Sequence, residues 1–67
     1  MSQKQRILEH LERGMPISGM MALRHYRCMR LAARVLELRG DGVQITTEYV
    51  HQPDGVRYAV YRLDAQG

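Results

Sequence analysis

Cross-links are the first stabilising feature that this sequence of 67 residues lacks. It contains one cysteine, Cys28, so no disulfide can form within the chain. No spacing of cysteine and histidine indicates a zinc site, and we expect no metal and no other cofactor. A chain this short buries only roughly 60% of its unfolded surface. We therefore expect marginal stability unless a second copy or a bound ligand adds to it.

Long apolar runs are also missing. No stretch is long enough to span a bilayer, and no signal peptide is indicated, because the first apolar pair, Ile7-Leu8, lies in a polar segment. These absences predict a cytoplasmic protein in a reducing compartment, with no membrane partner. Met1 leads us to expect a complete small gene product. We expect a single domain over residues 1–63, followed by a short polar, disordered tail over residues 64–67.

Groups of catalytic residues are the third absence. Cys28 has His25 nearby in sequence, but nothing supplies the oxyanion site that a nucleophilic cysteine needs. The other two histidines, His10 and His51, are dispersed, and all three are expected to be surface or partly buried side chains. No pair of carboxylates or glycine-rich phosphate loop is present. The sequence therefore predicts no enzyme and no catalytic residue.

Lysine is scarce, although the chain is basic. Its net charge is +3 and its pI is about 9.5, yet among ten basic residues only Lys4 is a lysine. Five arginines fall within residues 24–39, against one acid, Glu37. They are Arg24, Arg27, Arg30, Arg34 and Arg39. Because a guanidinium can donate paired hydrogen bonds to phosphate or guanine, this clustering favours nucleic-acid binding over a plain solvated face.

Helical spacing dominates the first 40 residues. Residues 2–13 predict a helix with Ser2 as its N-cap, and its apolar stripe is Ile7, Leu8, Leu11 and Met15. Pro16 predicts an extended link over 15–17, since the residue before a proline avoids helical geometry. Ser18 is expected to cap a second helix over 19–26. The inward residues of that helix are predicted to be Met21, Ala22 and Leu23.

A third helix is predicted after a tight bend at residues 26–28, and it ends at Gly40. Its apolar residues recur at helical spacing, which places them on one inner face. These are Leu31, Ala32, Val35 and Leu38. The residues between them are expected to point away from the core. These are Arg30, Ala33, Arg34 and Glu37.

Alternation with a period of two replaces helical spacing from Val43 to Tyr49, and a second alternating run covers residues 56–63. Between the two runs, residues 52–55 have proline at the second turn position and glycine at the fourth, a strong turn signal. The order of three helices and a hairpin predicts a mainly α fold with a small β-hairpin. Specifically, it predicts a three-helix helix-turn-helix core plus a two-stranded wing, the winged-helix architecture. The inner face of the second strand, with Ala59, Tyr61 and Leu63, is expected to cover the first and third helices.

The segment from about Ile17 to Leu63 resembles small helix-turn-helix proteins encoded by bacteriophages and prophages. The resemblance rests on ALRHYRCMRLAARVLELRGDG followed by PDGVRYAVYRL. It implies a DNA-binding regulator. One departure is Arg27, which stands where such a bend often has glycine. Either the bend does not need a positive φ, or Arg27 adopts one at some cost.

The first functional hypothesis is sequence-selective binding of double-stranded DNA, with the third helix in the major groove. Arg30 and Arg34 would contact guanine, and Ala33 would allow approach to a thymine methyl. The complete set of predicted base contacts is Met29, Arg30, Ala33, Arg34 and Glu37. The predicted DNA backbone contacts, which set register, are Arg24, Arg27, Arg39, Gln52 and Arg57.

Two roles remain open within this hypothesis, a transcriptional regulator of a phage operon and a recombination directionality factor. A homodimer or cooperative assembly on DNA is expected, because one recognition helix contacts few base pairs. The alternative from another class is a protein-interaction module that docks on a host polymerase or defence nuclease. Leu36, Met20 and Met29 favour that alternative, although Leu36 also suits a homodimer contact or burial under the wing.

Overall fold

Three helices and a three-stranded antiparallel sheet make up the computed structural model, which describes residues 2–64. In chain order the elements are α1 (Gln3–Glu12), β1 (Ile17–Ser18), α2 (Gly19–Tyr26), α3 (Leu31–Gly40), β2 (Ile45–His51) and β3 (Arg57–Leu63). The predicted order of three helices followed by a hairpin is confirmed. The short strand β1 is an addition to it.

Serine side chains begin the first two helices. The Oγ of Ser2 accepts a hydrogen bond from the N–H of Gln5 at 3.2 Å, and the Oγ of Ser18 accepts one from Met21 at 3.3 Å. Each bond satisfies a backbone donor that has no partner within its own helix. Both predicted N-caps are therefore confirmed, and α2 has the predicted bounds. Gly14 ends the first helical segment with a φ of 81°, a conformation that glycine adopts without strain.

The sheet has the order β1-β3-β2, so the expected two-stranded wing is instead part of a three-stranded sheet. Strand β1 pairs with β3 through Ile17 opposite Tyr61 and Ser18 opposite Val60. The extended link after Pro16 was predicted correctly. Its backbone donors and acceptors, however, are satisfied by pairing with β3. Two residues are too few to show the alternation that would predict a strand.

The wing is the hairpin of β2 and β3, paired from Ile45 opposite Leu63 to His51 opposite Arg57. Its predicted turn is confirmed by a hydrogen bond of 3.0 Å from the N–H of Gly55 to the carbonyl of Gln52. Strand β2 begins at Ile45 rather than near Val43, because the N–H of Val43 still bonds a carbonyl of α3. In the predicted tail, the N–H of Asp64 donates to the Gln44 carbonyl at 2.9 Å. Residues 65–67 lie outside the described residues.

One apolar core joins the helices to the base of the wing. Its members come from all three helices, from β1, from the bend and from the start of β2. They are Ile7, Leu11, Ile17, Ala22, Cys28, Leu31, Val35, Leu38 and Ile45. Tyr61 and Leu63 of β3 pack against this core, as the prediction for the wing's inner face required.

Three residues predicted to face inward are exposed, and each lies at the edge of its apolar stripe. Met15 is 41% exposed because it follows Gly14, where the helical period of α1 has already ended. Leu23 is 46% exposed and Ala32 is also exposed. Each follows a buried residue, and a step of about 100° along the helix turns it away from the core.

His10 is buried at 4% exposure, which corrects its prediction as a surface or partly buried side chain. Its Nε2 lies 3.0 Å from the carbonyl oxygen of Pro16, and its Nδ1 lies 2.7 Å from the hydroxyl of Tyr26. With the proton on Nε2, His10 donates to Pro16 and accepts from Tyr26. The side chain therefore ties α1 to the link before β1 and to the end of α2.

Candidate nucleic-acid interface

The bend between α2 and α3 is built around Arg27, whose φ of 54° and ψ of 33° are left-handed. The N–H of Cys28 donates to the Ala22 carbonyl at 3.0 Å, which closes the end of α2. Gln3 of α1 donates to the carbonyls of Tyr26 and Arg27 at 3.3 and 3.2 Å. The bend thus does require a positive φ, and Arg27 adopts it at a cost of about 1–2 kcal/mol relative to glycine.

Helix α3 presents an open face on the side opposite the core. Its buried residues are Leu31, Val35 and Leu38, as predicted. With about 100° between successive residues, Ala33, Leu36 and Gly40 lie on the opposite side. Leu36 is 69% exposed, whereas Ala33 is half-buried. The centre of the open face is therefore apolar and carries no arginine.

Arg34 does not project with Arg30, which corrects the predicted pair of outward arginines. The Nη2 of Arg34 lies 3.1 Å from Oε2 of Glu37, and its Nε is buried without a hydrogen-bond partner. Beside them, Lys4 of α1 pairs with Asp41 at 2.8 Å. Asp41 is the main cause of a raised pKa of Lys4, which Glu37 raises further and Arg34 lowers. Arg34 therefore belongs to a charged cluster between α1 and α3.

Arg39, a predicted DNA backbone contact, has its guanidinium hydrogen-bonded to the wing. Its Nη2 donates to the carbonyl of Ile45 at 2.7 Å and to Oγ1 of Thr47 at 2.9 Å. Its Nε adds a bond of 3.2 Å to the same Ile45 carbonyl. Arg39 thus links the first residues of β2 to the last turn of α3 by hydrogen bonds.

The N-terminal end of α3 carries the free arginines. Arg30 occupies the N-cap position, where its side chain makes no capping hydrogen bond within the described residues. Arg24 and Arg27 precede it at the end of α2 and in the bend, and all three residues are exposed. Met29, between them, is 86% exposed. Of the predicted contacts, these four lie together and are open to solvent.

The wing tip carries the last two predicted contacts. The guanidinium carbon of Arg57 lies 4.9 Å from the centre of the Tyr49 ring, a cation–π contact that leaves Arg57 exposed. Gln52 begins the turn. Together with Ala32 and Tyr58, Gln52 lines a groove of about 730 Å³ between the wing and the first turns of α2 and α3. The wing tip therefore lies beside the N-terminal part of α3, as predicted.

Comparison with known proteins identifies this architecture. The sequence model of a family described as a winged helix-turn-helix domain matches residues 2–66. The chain belongs to the winged helix-turn-helix family. No curated protein and no solved structure shows a significant match to it. Winged helix-turn-helix domains are typically non-enzymatic DNA-binding modules, so membership suggests that this chain binds DNA.

Within residues 2–64 of this winged helix-turn-helix domain, no group of histidine, cysteine and acidic residues is placed to hold a metal ion. No helix in the same part of the chain is long and apolar enough to cross a membrane. Sequence reasoning missed one residue that shapes the interface, Gln3, and it missed the structural contact made by another, Arg39. Gln3 holds the bend from 23 positions away, a distance that no local pattern signals. Arg39 looked like its neighbours in the arginine cluster, although it bonds β2.

Proposed function

We propose that this winged helix-turn-helix domain binds duplex DNA sequence-selectively, with α3 in the major groove and the wing beside it. The observation that carries the proposal is the exposed cluster of Arg24, Arg27 and Arg30 at the N-terminal end of α3. Within residues 2–64 these three guanidiniums have no acidic partner, so they offer phosphate contacts on the side where the open face of α3 begins.

Roles within the interface follow from exposure. Arg24 and Arg27 contact phosphate, and Arg57 and Gln52 do so from the wing. Arg30, Met29 and Ala33 contact base edges. Arg34 and Glu37 reach a base only if their mutual ion pair opens, and Arg39 reaches phosphate only by releasing β2. We therefore rank Arg30 above Arg34 as the residue that contacts guanine.

The biological role that we propose is transcriptional regulation, as the resemblance to phage and prophage proteins implies, with a recombination directionality factor as the second role. Because one recognition helix contacts few base pairs, we expect two copies on a site. A palindromic site would support a dimeric regulator. Tandem direct repeats would support cooperative assembly and the recombination role.

Selection of bound sequences from random duplex DNA tests the proposal, followed by fluorescence anisotropy on the enriched site. Arg30→Ala is expected to cost about 1–3 kcal/mol and to relax preference at one position. Arg57→Ala should weaken all sequences alike and lower the salt dependence by about one phosphate contact. As a control, Arg6→Ala removes the same charge from the exposed side of α1 and should leave the sequence preference unchanged. No enriched sequence and no duplex binding would overturn the proposal.

Protein docking is the second candidate function, favoured by large apolar side chains that are exposed on α2, in the bend and on α3. Met20 is 67% exposed and Leu23 46%, in addition to Met29 and Leu36. Pull-down from nuclease-treated host lysate separates the two candidates. Recovery of one stoichiometric protein would favour docking, whereas recovery of nucleic acid alone from untreated lysate would favour DNA binding.

A further inference from the structure

We infer that Leu36 contacts the C5-methyl group of thymine, so that the preferred site carries thymine opposite the middle of α3. This inference rests on the proposed DNA binding and specifies which base the open face selects. It assigns a specificity-determining role to a residue outside the predicted set of base contacts.

Leu36 is the large apolar side chain of the open face. It is 69% exposed, and its neighbours on that face, Ala33 and Gly40, are small. A Cβ built on Gly40 would meet no atom within 4 Å outside its own helix backbone, so no other element covers the helix surface at this position, one turn after Leu36. The leucine therefore protrudes from a slim stretch of helix, which suits close approach to the floor of a groove.

Hydrogen-bonding side chains are drawn away from this position. The Arg34 guanidinium lies 3.1 Å from the Glu37 carboxylate, so these two side chains pair with each other. Arg39, on the other side, is bonded to the carbonyl of Ile45 at 2.7 Å. A base edge opposite Leu36 consequently meets hydrocarbon and few available donors or acceptors.

The chemistry of the major groove then selects thymine. Guanine, adenine and cytosine present nitrogen and oxygen atoms there, and thymine adds a methyl group. Packing leucine against a polar edge removes water from that edge without a compensating hydrogen bond, which is unfavourable. Packing it against a methyl removes apolar surface from water on both sides, which is favourable.

Charge around the open face indicates DNA as its occupant. Arg24, Arg27 and Arg30 are exposed at the N-terminal end of α3, and none of them has an acidic partner within the described residues. A cationic border next to an apolar centre complements the phosphates and the methyl groups of a duplex. We therefore favour a DNA base over an apolar protein surface opposite Leu36.

The test replaces thymine with deoxyuridine, which lacks only the C5-methyl, at each thymine of the selected site in turn. At one position the wild-type affinity should fall about fourfold, which corresponds to the free energy of burying one methylene-sized group. Leu36→Ala should weaken binding to the original site, and deoxyuridine at that position should then have no further effect. If cytosine replaces that thymine, 5-methylcytosine should bind the wild type better than cytosine does. Circular dichroism checks that the variant folds.

The outcomes separate this inference from the function on which it rests. Deoxyuridine without effect at every thymine of a well-bound site overturns the inference and leaves DNA binding standing. Absence of any bound duplex overturns both. A third outcome is that the wild type recovers a protein from nuclease-treated lysate, the Leu36→Ala variant does not, and deoxyuridine has no effect. That outcome overturns the inference and supports protein docking at this face.

Discussion

The helical part of the domain and the outer half of its wing differ in how they are held together. Ile7, Leu11 and Val35 are at most 1% exposed and pack into one core. In the outer wing, Tyr49, Val56 and Tyr58 are each more than 40% exposed. The outer wing relies on cross-strand pairing, on its turn and on the contact of Arg57 with Tyr49. Stability is therefore concentrated in the helices, and the outer wing is free to serve contact with a partner.

The two parts meet at a small joint. Ile45 is 8% exposed and belongs to the core, and its carbonyl accepts hydrogen bonds from the guanidinium of Arg39 in α3. Tyr61 and Leu63 bring the base of β3 onto the same core. Substitutions in the helices, at the joint and in the outer wing should consequently have effects of decreasing size.

The largest effect is expected for Leu11→Ala in α1. Truncating a fully buried leucine costs about 2–5 kcal/mol, which is a large part of the stability of so small a domain. Val56→Ala, at a 54% exposed position of the wing, is the matched control and should change stability by less than about 0.5 kcal/mol. Urea unfolding followed by circular dichroism measures both. Equal losses would show that the outer wing is as much a part of the packed structure as the helices.

An intermediate effect is expected at the joint. Arg39→Gln removes the bonds to the Ile45 carbonyl and to Thr47, and should lower the free energy of unfolding by about 1–2 kcal/mol. Amide exchange in β2 should accelerate more than in α2. Arg57→Gln removes one arginine from the wing and should cost about 0.5 kcal/mol. If Arg39→Gln instead left stability unchanged and weakened DNA binding as Arg57→Gln does, Arg39 would be a phosphate contact after all.

At the bend a gain in stability is expected instead of a loss. Arg27→Gly should raise the free energy of unfolding by about 1 kcal/mol, because glycine adopts a positive φ without steric strain. DNA affinity should fall at the same time, since a phosphate contact is lost. Arg27→Ala keeps the strain and also removes the guanidinium, so it should lose affinity without gaining stability. A stability gain in both variants would point to charge repulsion among the arginines rather than to backbone strain.

Local chemistry made much of this fold predictable. Ser18 as an N-cap, Pro16 as a break and the turn at residues 52–55 each act within a few residues, and all three were predicted correctly. The inner residues Leu31, Val35 and Leu38 followed from helical spacing alone. Strand β1 did not, because two residues carry no period and their pairing partner lies more than 40 positions later.

The candidate site was less predictable, because its side chains depend on distant neighbours. Helical spacing identifies the inner face of α3 but not which flank meets α1 and which meets β2. That choice placed Arg34 in a charged cluster beside Lys4 and bonded Arg39 to Ile45. The arginines near the bend, Arg24, Arg27 and Arg30, kept the exposure that their sequence predicted, and none of them has an ion-pair partner within the described residues.

The thiol of Cys28 can report local opening of this domain. This thiol is the one sulfhydryl of the chain, and Cys28 is only 2% exposed within the bend that positions α3. Reagents that modify thiols need an accessible thiolate, so they can react with Cys28 only when the bend opens. The rate of labelling therefore times the separation of α2 from α3 without any introduced probe. A duplex that spans both helices should slow it.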